Sequence, residues 1–196
     1  MSPPSRRRDR DRREQFEALY AEHHAAIYAY VYRRLPGSAA EVPDVVAEVF
    51  AVSWRRLDEM PAGAETRLWL FGLARHLLLN HRRGQRRRRR LFDRLSREAS
   101  TVPQVTVMAE GGDAWLVAAI ERLPDAYREA LRLVSWEGCS HAQAAAVLGC
   151  SVNAVALRLH KAKARLRADP LVTEHLFAQG AGRAQARATP KAAVRN

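Results

Sequence analysis

Apolar residues recur along this chain at helical spacing. Over Glu14–Leu35, the positions Phe16, Leu19, Tyr20, Ile27, Tyr30, Val31 and Leu35 keep to one stripe, and Pro36-Gly37 ends it. A second helix is expected from Pro43, suited to a first helical turn, to about Leu57, with Val45, Val46, Val49, Phe50 and Trp54 on one side. The loop Asp58–Glu65 contains Pro61 and Gly63. A third helix spans roughly Thr66–Arg83, with Leu70, Leu73, Ala74 and Leu77 toward the other two. Three such stripes can bury one shared core, which makes a first domain of residues 14–83. From Gly84 to Gly112 the period dissolves into arginines, polar residues, Pro103 and Gly111-Gly112, which reads as a tether. Helical spacing resumes at Asp113–Arg122, breaks at Leu123-Pro124 and returns at Asp125–Trp136. No segment of useful length carries the two-residue period of a strand, so the expected class is all-α.

The segment Cys139–Arg167 reads as a DNA-binding helix-turn-helix. Ser140 and Gln143 form a Ser-x-x-Gln capping box that starts one helix, whose inner face is Ala144, Ala145, Val147 and Leu148. Gly149 ends it where the turn calls for positive φ. Ser151 can cap the next helix, whose stripe is Val152, Val155, Leu159, Ala162 and Leu166. Asn153, Arg158, Lys161, Lys163, Arg165 and Arg167 cover its other face. A small residue, a glycine four on and a branched apolar residue six further on suit two helices crossing closely. The bland reading of the same pattern is a helical hairpin with a basic outer face.

Charge adds a partner. A formal net charge of +12 over 196 residues points to a polyanion. The charge is unevenly spread: residues 1–13 hold six Arg against two Asp, and residues 82–90 hold seven Arg and no acid. Residues 37–66 instead carry six acids against two Arg, which suggests a different partner, a protein. Cys139 and Cys150 make no disulfide framework and match no common zinc spacing, so they read as small packing residues in a reducing compartment. The apolar stretch Leu68–Leu79 is short and interrupted by Arg75 and His76, so no membrane insertion is expected. Residues 1–13 and 170–196 are expected to be disordered, the latter mostly so. The chain offers no convincing carboxylate pair, metal-ligand spacing or activated nucleophile, which argues against an enzyme, a metal, a cofactor and a small-molecule substrate.

Several strings, in order, resemble the sigma factors of bacterial RNA polymerase, and within them the compact extracytoplasmic-function (ECF) group that keeps only the second and fourth regions. Phe16-x-x-Leu19-Tyr20 resembles the opening of region two. Asp44-Val45-Val46-Ala47-Glu48-Val49-Phe50 with Trp54 resembles its polymerase-binding helix, and Arg67–His76 its promoter-melting helix. Leu123-Pro124 with Arg128-Glu129-Ala130 and Gly138 resembles the lead-in to region four, and Val155–Ala162 its recognition helix. The resemblance implies two small helical domains joined by a flexible linker: a region-2-like bundle (14–83), a linker (84–112) and a region-4-like domain (113–169). Ala47 stands where the family commonly has Gln, and Ala156 where it commonly has a basic residue.

The function this resemblance implies is transcription initiation in the cytoplasm: binding core RNA polymerase, recognising both promoter elements and assisting melting, commonly under an anti-sigma protein. Core polymerase would meet Asp44, Glu48, Phe50, Trp54 and Arg55, although helical spacing suits the aromatics equally to the core. The downstream element and the melted strand would meet Arg67, Trp69, Arg75, His76, Asn80, Arg82 and Arg83, around the loop Asp58–Glu65 that takes the flipped base. Trp69 fits the core as well as a stacking face. The run His81–Arg90 reads either as a helical cationic strip along the DNA backbone or as a tether that merely adheres to polyanions. The upstream element would meet Ser151, Asn153, Leu157, Arg158 and Lys161 in the major groove, with Ala156 and Leu157 on thymine methyls. The rival function is a free-standing helix-turn-helix regulator that uses residues 15–83 for dimerisation or ligand binding and does not bind core polymerase.

Overall fold

A computed structural model of the chain describes residues 4–35, 38–95 and 114–175. These form α1 (Pro4–Tyr32), α2 (Val42–Arg55), α3 (Ala64–Leu95), α4 (Ala114–Glu121), α5 (Asp125–Ser135), α6 (His141–Leu148) and α7 (Val152–Arg167). Short 3-10 turns lie at Ala39–Glu41 and Leu57–Glu59. The helices group into two compact units, one centred on α1–α3 and the other on α4, α5 and α7.

In the first unit each helix gives one stripe to the core: Leu19, Ile27, Tyr30 and Val31 from α1, Val45, Val46, Val49 and Phe50 from α2, Leu70, Phe71, Ala74 and Leu78 from α3. The valines make α2 a poor helix in isolation, and burial on one face offsets that propensity. Its buried hydroxyl is satisfied locally, Ser53 Oγ donating to the Val49 carbonyl at 2.8 Å. The Tyr30 and Phe71 rings stack at 4.7 Å, and the guanidinium of Arg34 lies 3.4 Å over the Tyr30 ring. On α3 the buried stripe is rotated from the expected one. Leu73 and Leu77 are only half-buried, and Phe71 and Leu78 take the deep positions because α3 meets α1 and α2 together. Tyr20 and Trp54, expected on the apolar stripes, are 43% and 38% exposed.

Two boundaries differ from expectation. Helix α1 begins at Pro4, so the disorder expected for residues 1–13 is corrected from Pro4 onward. Arginine propagates a helix well, Arg10 and Glu14 pair one turn apart at 3.7 Å, and Arg12 ties the segment to the Asp58 carboxylate and, at 3.1 Å, to the Trp54 carbonyl. Helix α3 runs on to Leu95, so the linker expected from residue 84 is helical over its first part. The arginine run lacks the Gly and Ser content of a tether, and Glu41 holds this stretch through His81 at 2.6 Å and Gln85 at 2.7 Å. The rest of that linker, to residue 112, lies outside the described residues.

In the second unit, Ala119, Ile120, Leu123, Ala130, Leu133, Val155, Leu159 and Ala162 form the core. Arg132 is buried among them at 2% exposure, paired with Glu121 and 5.8 Å from the Trp136 ring. The capping box forms as expected: Ser140 N–H donates to Gln143 Oε1 at 2.8 Å, and Gln143 N–H to Ser140 Oγ at 3.2 Å. Gly149 adopts φ +62°, and Ser151 Oγ accepts from the Ala154 N–H at 3.2 Å to start α7. Val152 departs from the expected stripe and is 46% exposed, because the first turn of α7 projects beyond the core. Helices α6 and α7 meet at 102°. Residues 170–175 are also helical, which corrects part of the disorder expected for 170–196. Asp169 accepts from the Leu171 N–H at 3.0 Å, and His175 stacks on Trp115 at 4.1 Å. Residues 176–196 lie outside the described ones.

Truncating Phe71 to Ala removes the ring that Tyr30 stacks on. It should destabilise the first unit by about 3–5 kcal/mol in urea unfolding, whereas Leu157→Ala, at an exposed position, should stay within about 0.5 kcal/mol of the parent.

Candidate functional site

Three surfaces are left over once the cores are built. The first lies between α1 and α2. A ladder of rings runs along α1 at every fourth residue, Phe16, Tyr20, His24, Tyr28 and Tyr32, with Tyr20 and His24 at 4.7 Å and Tyr28 and Tyr32 at 6.4 Å. Facing it, Phe50 packs on Tyr20 at 4.7 Å and Trp54 meets Phe16 edge-on at 5.2 Å. Between them is a groove of 610 Å³, with Ala47, Ala51 and Pro43 also on its walls. Of the α2 residues singled out from sequence, Asp44, Glu48 and Arg55 are exposed, Trp54 is exposed in part and lies 5.4 Å from the Arg12 guanidinium, and Phe50 is 3% exposed. Phe50 is therefore floor rather than free anchor. The α1 rings were missed as a site, although their four-residue period was there to be found: it is slightly longer than a helical turn, so the ladder drifts off the core stripe into solvent.

The second surface is α3, which parts the seven residues singled out on it. At about 100° per residue, Trp69, His76, Asn80 and Arg83 fall on the face opposite the core stripe, Arg75 and Arg82 fall on its flank, and Arg67 lies in line with the core stripe in the first turn of the helix. His76, Asn80 and Arg83 are exposed, and Trp69 is half-covered with the Arg56 guanidinium 5.5 Å from its ring. Arg67 is exposed beside the Phe71 ring at 5.1 Å. Arg82 is half-buried and donates to the Arg34 carbonyl at 2.7 Å, tying α3 to the end of α1. Arg87 continues the outward face. The loop before α3 is shaped by Gly63 at φ +67° and by Thr66, whose hydroxyl donates to the Pro61 carbonyl at 2.7 Å.

The third is the outer face of α7. Asn153, Leu157 and Lys161 follow one another at single turns and are exposed, Leu157 at 54%, with Arg158 half-buried beside them. Ser151, also singled out, uses its hydroxyl on the cap. Among the described residues no group of three or more His, Cys, Asp or Glu is placed to hold a metal ion, and no single helix is long and apolar enough to cross a membrane.

Two family models match the chain: sigma-70 region 2 over residues 19–88 and sigma-70 region 4 over residues 113–166. The ECF RNA polymerase sigma factor SigL of Mycobacterium tuberculosis is 34% identical over 155 residues, covering 76% of this chain and 85% of that protein. The chain belongs to the ECF sigma factors. EcfG of Rhodopseudomonas palustris is 33% identical over 137 residues, covering 68% of this chain and 74% of its own. Among solved structures, CnrH in complex with the cytosolic domain of CnrY is 28% identical with a TM-score of 0.56, over 78% of this chain and 85% of that one. RpoE of Bartonella quintana, solved with the anti-sigma factor NepR, matches the fold at a TM-score of 0.65 and 22% identity, over 81% of this chain and 96% of that one. The two matched regions correspond to the two helical units, and this protein is accordingly a sigma factor of transcription initiation; its relatives are transcription factors rather than enzymes. Residues 1–18 precede the region 2 match.

Adjacent arginines on α3 should behave oppositely. Arg82→Gln is expected to lower the unfolding free energy of the first unit by about 1–2 kcal/mol with little change in DNA affinity. Arg83→Gln should leave stability within about 0.5 kcal/mol and weaken DNA binding; denaturation and fluorescence anisotropy on the same two variants check both.

Proposed function

We propose that this sigma factor acts in the cytoplasm by docking on core RNA polymerase through α2 and the groove beside it, and by recognising promoters with both units. The observation that carries this reading is the groove itself. Its rings and the exposed Asp44, Glu48 and Arg55 form an apolar strip with a charged rim, the arrangement of a protein-binding surface, on a chain whose other surplus charge is basic. The acidic rim suits a basic partner helix, and Ala47, with its short side chain, leaves room in the groove wall.

Downstream recognition and melting fall to the outward face of α3 and loop 58–65. There Trp69 offers a stacking surface, His76 and Asn80 offer hydrogen bonds, and Arg83 and Arg87 offer phosphate contacts. Arg67, from the first turn of α3, and Arg75, from its flank, reach the same strand. Upstream recognition falls to α7, with Asn153, Arg158 and Lys161 at base edges and phosphates and Leu157 against a thymine methyl. The polymerase performs the chemistry. An anti-sigma protein that covers these surfaces is the expected control, supported by the complexes in which RpoE and CnrH were solved.

The deciding experiment is purification with core polymerase followed by transcription from genomic fragments. Co-elution and promoter-dependent RNA synthesis are expected; failure of both would leave the free-standing regulator. Within the active complex, Arg158→Ala should cost about 10- to 100-fold in promoter affinity. Selection from a randomised upstream element should enrich thymine opposite Ala156 and Leu157, and enrichment of G or C there would reject the methyl contact.

A further inference from the structure

The basic N-terminal segment is not accounted for by either family region, since the region 2 match begins at residue 19. It is a helical continuation of α1, and its charge is arranged against its own helix. The first turn of α1 holds no acid and includes Arg7, at the end where the backbone dipole is already positive, and over the next two turns Arg8, Arg10, Arg12 and Arg13 outnumber Asp9 and Asp11. A polyanion relieves that repulsion.

The segment is also pinned. Arg12 binds the Asp58 carboxylate and the Trp54 carbonyl, which fixes α1 to the end of α2 where loop 58–65 departs. Of the acids at that end, Asp58 pairs with Arg12, Glu59 with Arg56 at 2.7 Å and Glu14 with Arg10, while Asp9 and Asp11 stand exposed among the arginines. Among the described residues, no acid pairs with Arg7, Arg8 or Arg13, and all three are exposed. Arg8 lies one turn before Arg12 on nearly the same face, the side from which loop 58–65 leaves. From Pro4 to Arg12 the helix spans about 12 Å, roughly three phosphates along one DNA strand.

We propose that this N-terminal extension is a sequence-independent DNA contact that lays Arg7 and Arg8 on the phosphate backbone beside the strand opened at loop 58–65, with Arg12 as the residue that positions it. The placement rests on the reading of that loop as the melting site.

The test uses the full chain assembled with core polymerase. In the variant Arg7→Gln/Arg8→Gln, the slope of log promoter affinity against log salt should flatten by about 0.7–0.9 for each phosphate no longer neutralised, with affinity for core polymerase unchanged. An unchanged slope overturns the proposal. So does an unchanged slope with weaker core binding, which would assign the segment to an acidic protein surface. An Arg8→Cys variant in a Cys139→Ser/Cys150→Ser background, carrying a hydroxyl-radical chelate, should cut promoter DNA next to the permanganate-reactive stretch, and Arg12→Met should spread those cuts over a wider stretch; cutting only elsewhere overturns the placement. Permanganate reactivity of the unmodified complex reports the loop reading separately. If no thymine reacts there, that reading fails first, and the placement with it, whatever the salt slopes show.

Discussion

The contact on which the first unit turns is the stack of Arg34, Tyr30 and Phe71. The Phe71 ring lies on Tyr30, the guanidinium covers the other side of Tyr30 at 3.4 Å, and Arg34 also donates to the Tyr30 carbonyl at 2.9 Å. Because the rings belong to α1 and α3, their overlap sets the rotation of both helices about their axes. A half-turn of either would replace a buried ring with a polar side chain. Arg82 reinforces the same junction by reaching the Arg34 carbonyl. With the rotation set, every other residue of α1 and α3 has its direction decided. The ring ladder turns to the groove and His76, Asn80 and Arg83 turn to solvent.

The functional surfaces are thus what remains of each helix after the core has taken its stripe, and two features enlarge that remainder. The ladder on α1 repeats every four residues and not every 3.6, so it diverges from the buried stripe as the helix proceeds. Helix α3 is far longer than the bundle needs, and its surplus turns carry the arginine run past the region 2 match, which ends at residue 88. The second unit solves a related problem with less chain. Its helix α7 is started by the Ser151 cap, and the turn at Gly149 leaves Asn153, Leu157 and Lys161 outside while Val155, Leu159 and Ala162 are buried.

Local rules were enough where an element depends on its neighbours in sequence. The capping box at Ser140, the positive φ at Gly149 and the Ser151 cap all follow from residues within four positions of one another, and all were legible. The three-helix core was legible too, but not its rotation: Leu73 and Leu77 look as apolar as Phe71 and Leu78, and only the meeting with two other helices chooses between them. The helix starts and ends were misread for a similar reason. Arginine runs look like tethers by composition, yet Arg12 at one end and Glu41 with His81 and Gln85 at the other bind partners about 40 residues or more away in sequence. Among the site residues, charge and type identified the candidates. The split of the α3 set into an outward face and a flank required knowing which side the core occupies.

That last point bears on how a basic protein should be read at all. Arginine serves this chain as scaffold and as surface in comparable measure. Arg34 and Arg132 are buried at 2% exposure each, Arg12 and Arg82 hold helices together, and Arg83 and Arg87 face solvent. The guanidinium suits both uses because it donates in a plane, covers aromatic faces and keeps its charge when partly buried. The count of basic residues therefore overstates the positive surface offered to DNA, since each arginine paired with Asp58, Glu59, Glu121 or Asp125 is already neutralised in place. What remains lies on the outward face of α3, the outer face of α7 and the start of α1. Within the first unit, pairing Asp58 and Glu59 with arginines where α2 ends leaves Asp44 and Glu48 as the exposed acids of α2 itself, so the negative charge of that helix is gathered on one stretch.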